Sequence, residues 1–303
     1  MEKSEKSFIK VDVNIDGEVC NNKLMDKIAG VTGIIFGPYR EKKLARTKFL
    51  QEINGREDLT NIEKLAITSN YKKILKEYEN QNDIVNKAIE MLNKPIEQCE
   101  IDLMDDTWIM TFIDNAKNIC DDELKLVWSK ILAGELENNG TYSLRTLERV
   151  KNMSKKDAEK FTKIADFIME SGNRYFLLND DEVLEKYNIT YEDIMFLDEI
   201  GFIKEDGKSL NASVNKLQII YNNIIVFIEG KKEKLSLPIY TLTEVGKEVF
   251  SLLQTAQANL EYLKCFSEKN KEKFRMAYSE IIRIEGSKVI YKSDLNKLYN
   301  ENE

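Results

Sequence analysis

The stretch from Asp121 to Met153, DDELKLVWSKILAGELENNGTYSLRTLERVKNM, does most to restrict what this chain can fold into. Leu124, Val127, Trp128, Ile131 and Leu132 recur at spacings of three and four, which sets them on one stripe of a helix, with Asp121 or Asp122 as its N-cap. The pattern stops at Glu135-Leu136. Asn138, Asn139 and Gly140 then supply left-handed or turn conformations, and Thr141 or Ser143 is placed to cap a second helix striped by Leu144, Leu147 and Val150. The stripe needs a partner, so the unit reads as a helical hairpin within a larger bundle. Gly134 inside a helix costs roughly 1 kcal/mol against Ala, and the close approach of another helix is the simplest expectation for it. Glu135 and Arg145 face each other across the turn as a partly buried ion pair or as ligand-facing groups. The ion pair is preferred, because no second acid, thiol or nucleophile completes a catalytic set. Trp128, Glu135, Ser143, Arg145 and Thr146 are therefore the candidate functional or interaction residues.

The chain contains no histidine. That removes Ser-His-Asp and Cys-His nucleophiles, the zinc helix H-E-x-x-H, and the commonest near-neutral general base. An all-carboxylate magnesium site or an acid pair is what enzyme chemistry retains. Cys20, Cys99, Cys120 and Cys265 are too far apart for a C-x-x-C motif and read as free, buried thiols in a reducing compartment. A net charge of −8 disfavours wholesale nucleic-acid binding, although a local basic face is compatible with it. With 42% hydrophobic and 32% charged residues over 303 positions, the chain is long enough for two modest domains of an ordinary soluble protein, and its three prolines suit long helices. No secretory apolar region opens it and no apolar run reaches membrane-spanning length, so a cytoplasmic location is expected.

Residues 1–20 carry Phe8, Val11, Val13 and Ile15 in a pattern suited to a short strand or ordered tail. From Leu24 the sequence turns apolar and glycine-rich, and Arg40, Lys42, Lys43, Arg46 and Lys48 follow as a basic block, the candidate site for an anionic partner. Gly33 and Gly37 stand at GxxxG spacing, so one reading is a peripheral membrane element. The other, preferred here, is a helix packed on the core, a turn at Gly37-Pro38 and a solvent-facing basic helix. Residues 41–93 keep a helical period, with weak breakers at Asn54-Gly55, as in an antiparallel helical hairpin or coiled-coil arm. Glu97, Glu100, Asp102, Asp105 and Asp106 form an acidic loop, read as capping the helix near Thr107 in preference to holding a metal. Trp108, Ile109, Phe112 and Ile113 make a stripe that would pack around Trp128.

Ser154 with Asp157 resembles a capping box for a helix running to Ser171-Gly172. After it the texture changes: β-prone Tyr175 to Leu178, short helices over Asp180 to Tyr187 and Thr190 to Ile200, and a stop at Gly201. Apolar β-type runs flank Asn222-Asn223, and a last strand, Ile239 to Leu242, leads into a helix from Glu244 to about Lys264. Helix, helix, L-D-E-I-G-F-I, β ribbon, then L-T-E-V-G-K-E-V-F is the texture of a winged helix. Its second helix presents Tyr191, Glu192, Asp193, Asp198 and Glu199, which phosphates would repel, while the ribbon tip offers Lys231, Lys232 and Lys234. Protein interaction or dimerisation is therefore preferred to DNA binding. Beyond Cys265, helix and a charged tail are expected, with a short strand at Ser287 to Tyr291.

The runs W-S-K-I-L-A-G-E, N-G-T-Y-S-L-R-T-L and N-M-S-K-K-D-A-E-K-F resemble a bacterial family known as domain of unknown function 2806. The turn here is Asn139-Gly140, without the proline of the family pattern. G-P-Y-R-E-K-K-L-A-R and L-T-E-V-G-K-E-V-F extend the likeness over most of the chain. The order of parts is more distantly similar to the abortive-infection alpha group. These resemblances imply a non-enzymatic interaction or assembly protein in phage defence, with a protein partner or self-association. The alternatives are a nucleic-acid-binding regulator and a carboxylate-metal hydrolase; no cofactor, bound metal or catalytic residue is expected. The expected architecture is mainly α, in the α+β class: a helical N-terminal and central bundle followed by a winged-helix-like module. Its parts would be an N-terminal segment (1–40), a helical domain (41–172) with the hairpin 121–153, a winged-helix-like domain (173–265) and a C-terminal helical tail (266–303).

Overall fold

The structure, a computed structural model, describes residues 22–34, 39–212, 215–231, 234–253, 257–286 and 288–298. The expected strand in residues 1–20 and the turn at Gly37-Pro38 lie outside them. The chain has an α+β fold and divides into two compact units, Met1–Leu147 and Glu148–Glu303.

The first unit is helical. Helix α1 (Asn22–Thr32) buries Leu24, Met25 and Ile28, the apolar side expected from the sequence. Helix α2 (Tyr39–Gly55) stops at the expected breaker and packs on α3 (Asn61–Glu90), so residues 41–93 do form a helical hairpin. Thr60 and Glu63 close a capping box at the start of α3. The two halves of α3 differ: Ile84, Val85 and Ala88 are buried in the second, whereas Ile62, Leu65 and Ile74 are exposed in the first. Pro95 leads into two 3₁₀ turns, Ile96–Gln98 and Ile101–Leu103. Asp105 then accepts from the Trp108 amide at 2.7 Å and caps α4 (Asp106–Ala116), as the acidic loop was expected to do. Lys23 and Lys27 of α1 pair with Asp102 and Asp106. Helix α5 (Asp122–Glu137), capped by Asp121, packs against α3, and the chain passes into α6 (Leu144–Lys151), on which the division between units falls.

In the second unit Ser154 and Asp157 form the expected capping box of α7 (Lys155–Ala165). The helix ends at Ala165, short of Ser171-Gly172. Gly172, at φ +60°, turns β1 (Met169–Ser171) onto β2 (Arg174–Leu178) with Ser171 opposite Arg174. The two-residue turn and buried Met169 favour strand pairing over further helix. Helices α8 (Asp181–Glu185) and α9 (Tyr191–Glu199) follow where expected, then β3 (Ile203–Lys204), β4 (Ser209–Ala212), β5 (Lys216–Tyr221), β6 (Ile224–Gly230) and β7 (Leu235–Leu242). β5 and β6 turn at Asn222, which adopts φ +51°. Helices α10 (Glu244–Ser251) and α11 (Leu260–Lys269) replace the single expected helix 244–264. β8 (Phe274–Glu285) and β10 (Asn296–Lys297) stand where helix and charged tail were expected, and β9 (Lys288–Tyr291) is the short strand expected there. Phe274, Met276 and Ser279 are buried along β8, whose start alternates with a period of two that a helix cannot bury on one face.

The strands form one antiparallel sheet in the order β10-β8-β6-β5-β1-β2-β7-β3, with β4 added to β7 and β9 to β8. β5 and β6 therefore pair with β1 and β8, and neither joins β7 as a simple wing ribbon would. Gly201 ends α9 at φ +77°, with the Phe202 amide on the Leu197 carbonyl and its own amide on the Asp198 carbonyl, a Schellman closure. This turn meets the start of α10. Thr243 Oγ1 donates to the Gly201 carbonyl at 2.7 Å and accepts from the Gly246 amide at 2.9 Å. A Cβ on Gly246 would stand 1.9 Å from the Phe202 carbonyl oxygen, so the glycine of L-T-E-V-G-K is required by backbone contact. Phe167, Tyr187, Tyr221 and Tyr262 form an aromatic cluster beneath α11.

Candidate functional site

The hairpin of α5 and α6 gathers the residues singled out in the sequence. Trp128 is fully buried, 5.1 Å from Phe112, whose ring stacks on Trp108, so both tryptophans are core. Trp108 Nε1 donates to the Tyr142 carbonyl at 2.7 Å; Trp128 Nε1 has no hydrogen-bond partner. Tyr142 also explains Gly134. A Cβ there would meet Cε2 of the Tyr142 ring at 2.7 Å, so the close neighbour is the side chain of the following turn and not a second helix.

Glu135 does not pair with Arg145. Its carboxylate is buried and accepts from the amides of Gly140, at 2.6 Å, and Tyr142, at 3.1 Å. It holds the turn Asn138 to Tyr142 closed over the end of α5, doing the work of a C-terminal lock. Gly140 takes φ +82° within that turn. Ser143 Oγ accepts from the Thr146 amide at 3.3 Å and lies 3.3 Å from Thr146 Oγ1, so both hydroxyls serve the start of α6, and Thr146 is fully buried. Leu144 and Arg145 are exposed. Arg145 makes no ion pair among the described residues. Glu137 fastens the other side of the turn: its carboxylate accepts from Asn93 at 2.6 Å, and its carbonyl takes Lys94 Nζ at 2.7 Å.

Sequence reasoning passed over the polar residues inside the bundle. Asn80 and Gln81 on α3 donate to the Lys117 and Ile113 carbonyls at the end of α4, both at 2.9 Å. Lys125 is buried yet reaches Asp83 at 2.7 Å, and Ser129 Oγ donates to the Ile84 and Lys125 carbonyls. Their signal in the sequence was polar side chains at stripe positions, which an apolar periodicity discards. The basic block lies on α2. Lys48 is exposed, and the side chains of Arg40, Lys42, Lys43 and Arg46 lie outside the described residues.

Among the described residues there is no group of three or more Cys, Asp or Glu able to hold a metal ion, and no helix is long and apolar enough to cross a membrane. Asp106 pairs with Lys27 and Glu135 is spent on amides, so neither carboxylate is arranged with another for hydrolysis. Of the thiols, Cys99 is buried, and burial pushes it up; Cys120 is exposed and Cys265 half-buried, with Lys186 Nζ 3.2 Å from its sulfur. The reading of the cysteines as buried hydrophobes thus holds for Cys99 alone among those described.

These features define an α+β protein whose most distinctive hairpin is built by its own polar groups and presents a small exposed surface. Residues 67–267 match the family described as protein of unknown function 2806, and the chain belongs to that family. The matched region spans the hairpin and the α9–α10 joint. No curated protein and no solved structure matches the chain.

Proposed function

We propose that the protein acts by binding a protein partner, without catalysing a reaction. The observation that carries this reading is that Glu135 and Ser143 accept from the hairpin's own amides and Thr146 is buried against Ser143, while Leu144 and Arg145 remain exposed beside them. An exposed arginine is a side chain enriched at interface centres. The setting in phage defence rests on the sequence resemblance to the abortive-infection alpha group, to which the family match adds nothing. Plaque formation by a panel of phages on a host expressing the chain tests it. Protection that disappears in Arg145→Glu and Leu144→Asp, with thermal unfolding unchanged, is the expected result. Equal protection by both variants, or none by the unaltered chain, counts against it.

A second reading has one observation in its favour: α8 and α9 lie between β2 and β3 in sequence, and the order β2-β7-β3 is that of a winged-helix sheet. As a reader of DNA it is poorly equipped. The exposed residues of α9 are Tyr191, Glu192, Met195 and Glu199, and two carboxylates would face the phosphates. We therefore read the module as winged-helix-like in shape and protein-facing in use. A salt-dependent gel shift with duplex DNA would reverse that preference.

A further inference from the structure

We infer that the β8–β9 ribbon is a self-association element, in which residues 283–285 of β8 pair antiparallel, edge to edge, with the same residues of a second copy of this chain. β6 accompanies β8 only as far as Glu280, and the last link on that side is the Ile281 amide on the Asn223 carbonyl at 2.9 Å. Beyond it β8 has a single partner among the described residues, β9 on the opposite side. Glu285 and Lys288 are the last register partners of the β8–β9 ribbon; a pair in that place in a tight hairpin exchanges hydrogen bonds, which turns the N–H and C=O of Ile284, one residue back, to the open side. An unpaired edge of this kind is a template for another strand.

The side chains specify which strand. Past the register shift between Ile281 and Arg283, Ile284 is 52% exposed on one face, and Arg283 and Glu285 share the other, 2.7 Å apart. The run Arg-Ile-Glu, 283–285, is complementary to itself about Ile284. With Ile284 opposite Ile284 of the second copy, each Arg283 stands across from the other copy's Glu285, and the two Ile284 side chains meet on the reverse face. Opposite charges directly across a ladder stabilise it and like charges oppose it. Because the contact is the same patch on both copies, it closes as a two-fold dimer and does not propagate. The inference is independent of the hairpin's partner, since only this chain takes part.

Sedimentation or light scattering on the full chain over a concentration series tests it. The unaltered chain is expected to shift from monomer to dimer as concentration rises. Arg283→Glu and Glu285→Arg, each placing like charges in two symmetric pairs, should each weaken the dimer by about tenfold or more. An equimolar mixture of the two should regain it as a mixed pair, and the double swap should dimerise like the unaltered chain. Both side chains are more than half exposed, so the fold should survive, which circular dichroism checks. Ile284→Pro gives a second handle: it deletes the open-side N–H without removing a bond to β9. A chain that stays monomeric throughout, or a dimer indifferent to these changes and to mixing, overturns the inference.

Discussion

Asp193 shows how one side chain can tie several elements. Its carboxylate takes part in the capping box with Thr190 and bonds Lys160, and Lys163 at 2.7 Å, so α7 and α9 are joined through it. Burial alone would raise its pKa; the two lysines and the Thr190 amide outweigh burial and hold it at about 2. A carboxyl lowered in the folded state contributes stability above its ordinary value near 3.9, and that contribution is lost as pH falls through about 2. Acid unfolding of Asp193→Asn should therefore show a smaller drop between about pH 4 and about pH 2 than the unaltered chain, from a starting stability about 2 kcal/mol lower. The Thr-x-x-Asp signal was readable in the sequence as a cap. The lysines, some thirty positions earlier, were not, because nothing local brings α7 to α9. The glycines differ in the same way. Gly246→Ala drives a Cβ into the Phe202 backbone and should cost about 3 kcal/mol in urea unfolding. At Gly134 the obstacle is the Tyr142 ring, which can shift, and helix propensity returns roughly 1 kcal/mol. That substitution should cost about 1–2 kcal/mol. Trp128→Ala, by contrast, empties the core at about 3–5 kcal/mol, so loss of activity in that variant would say nothing about binding.

At the scale of elements, caps and turns carried most of the legible information. Asp121, one of the two caps the sequence offered for α5, and Ser154 cap the helices assigned to them, Thr190 and Thr243 cap α9 and α10, and Gly201 ends α9 where expected. Thr243→Ala should cost about 1–2 kcal/mol and Thr243→Ser should recover most of it, with chemical denaturation as the measure. The loss should sit at the high end, since Thr243 also donates to the Gly201 carbonyl. In the hairpin, Glu135→Ala would leave two turn amides without an acceptor, at about 1–3 kcal/mol. Faster amide exchange at Gly140 and Tyr142 is the local sign to look for. What escaped notice at this scale were strands of mixed composition. β4 holds Ser209 and Asn211, and β8 mixes Glu280, Arg283 and Glu285 with its isoleucines, so neither looks apolar until a neighbouring strand satisfies its backbone.

For the whole molecule, the division into Met1–Leu147 and Glu148–Glu303 gives each unit its own core, and both tryptophans of the chain fall in the first. Tryptophan emission should consequently follow the helical unit. Gly246→Ala should advance the unfolding seen by circular dichroism while leaving the tryptophan transition near its original midpoint; a joint shift of both would show that the units melt together. By itself the sequence determined several helix starts and the stop at Gly201, the burial of Trp108 and Trp128, the turn at Asn139-Gly140, the α+β class and the lack of any histidine-based chemistry. Those properties are local or compositional: a cap needs four residues, and an absent residue type is absent in any fold. Tertiary structure alone decided that Glu135 locks a turn instead of pairing with Arg145, that Gly134 makes room for Tyr142, and that the chain after Lys269 joins the sheet. The first two depend on how the turn folds back over the end of α5, and the last on which strand arrives beside it, since an unpaired N–H or C=O selects its partner only once the elements have packed.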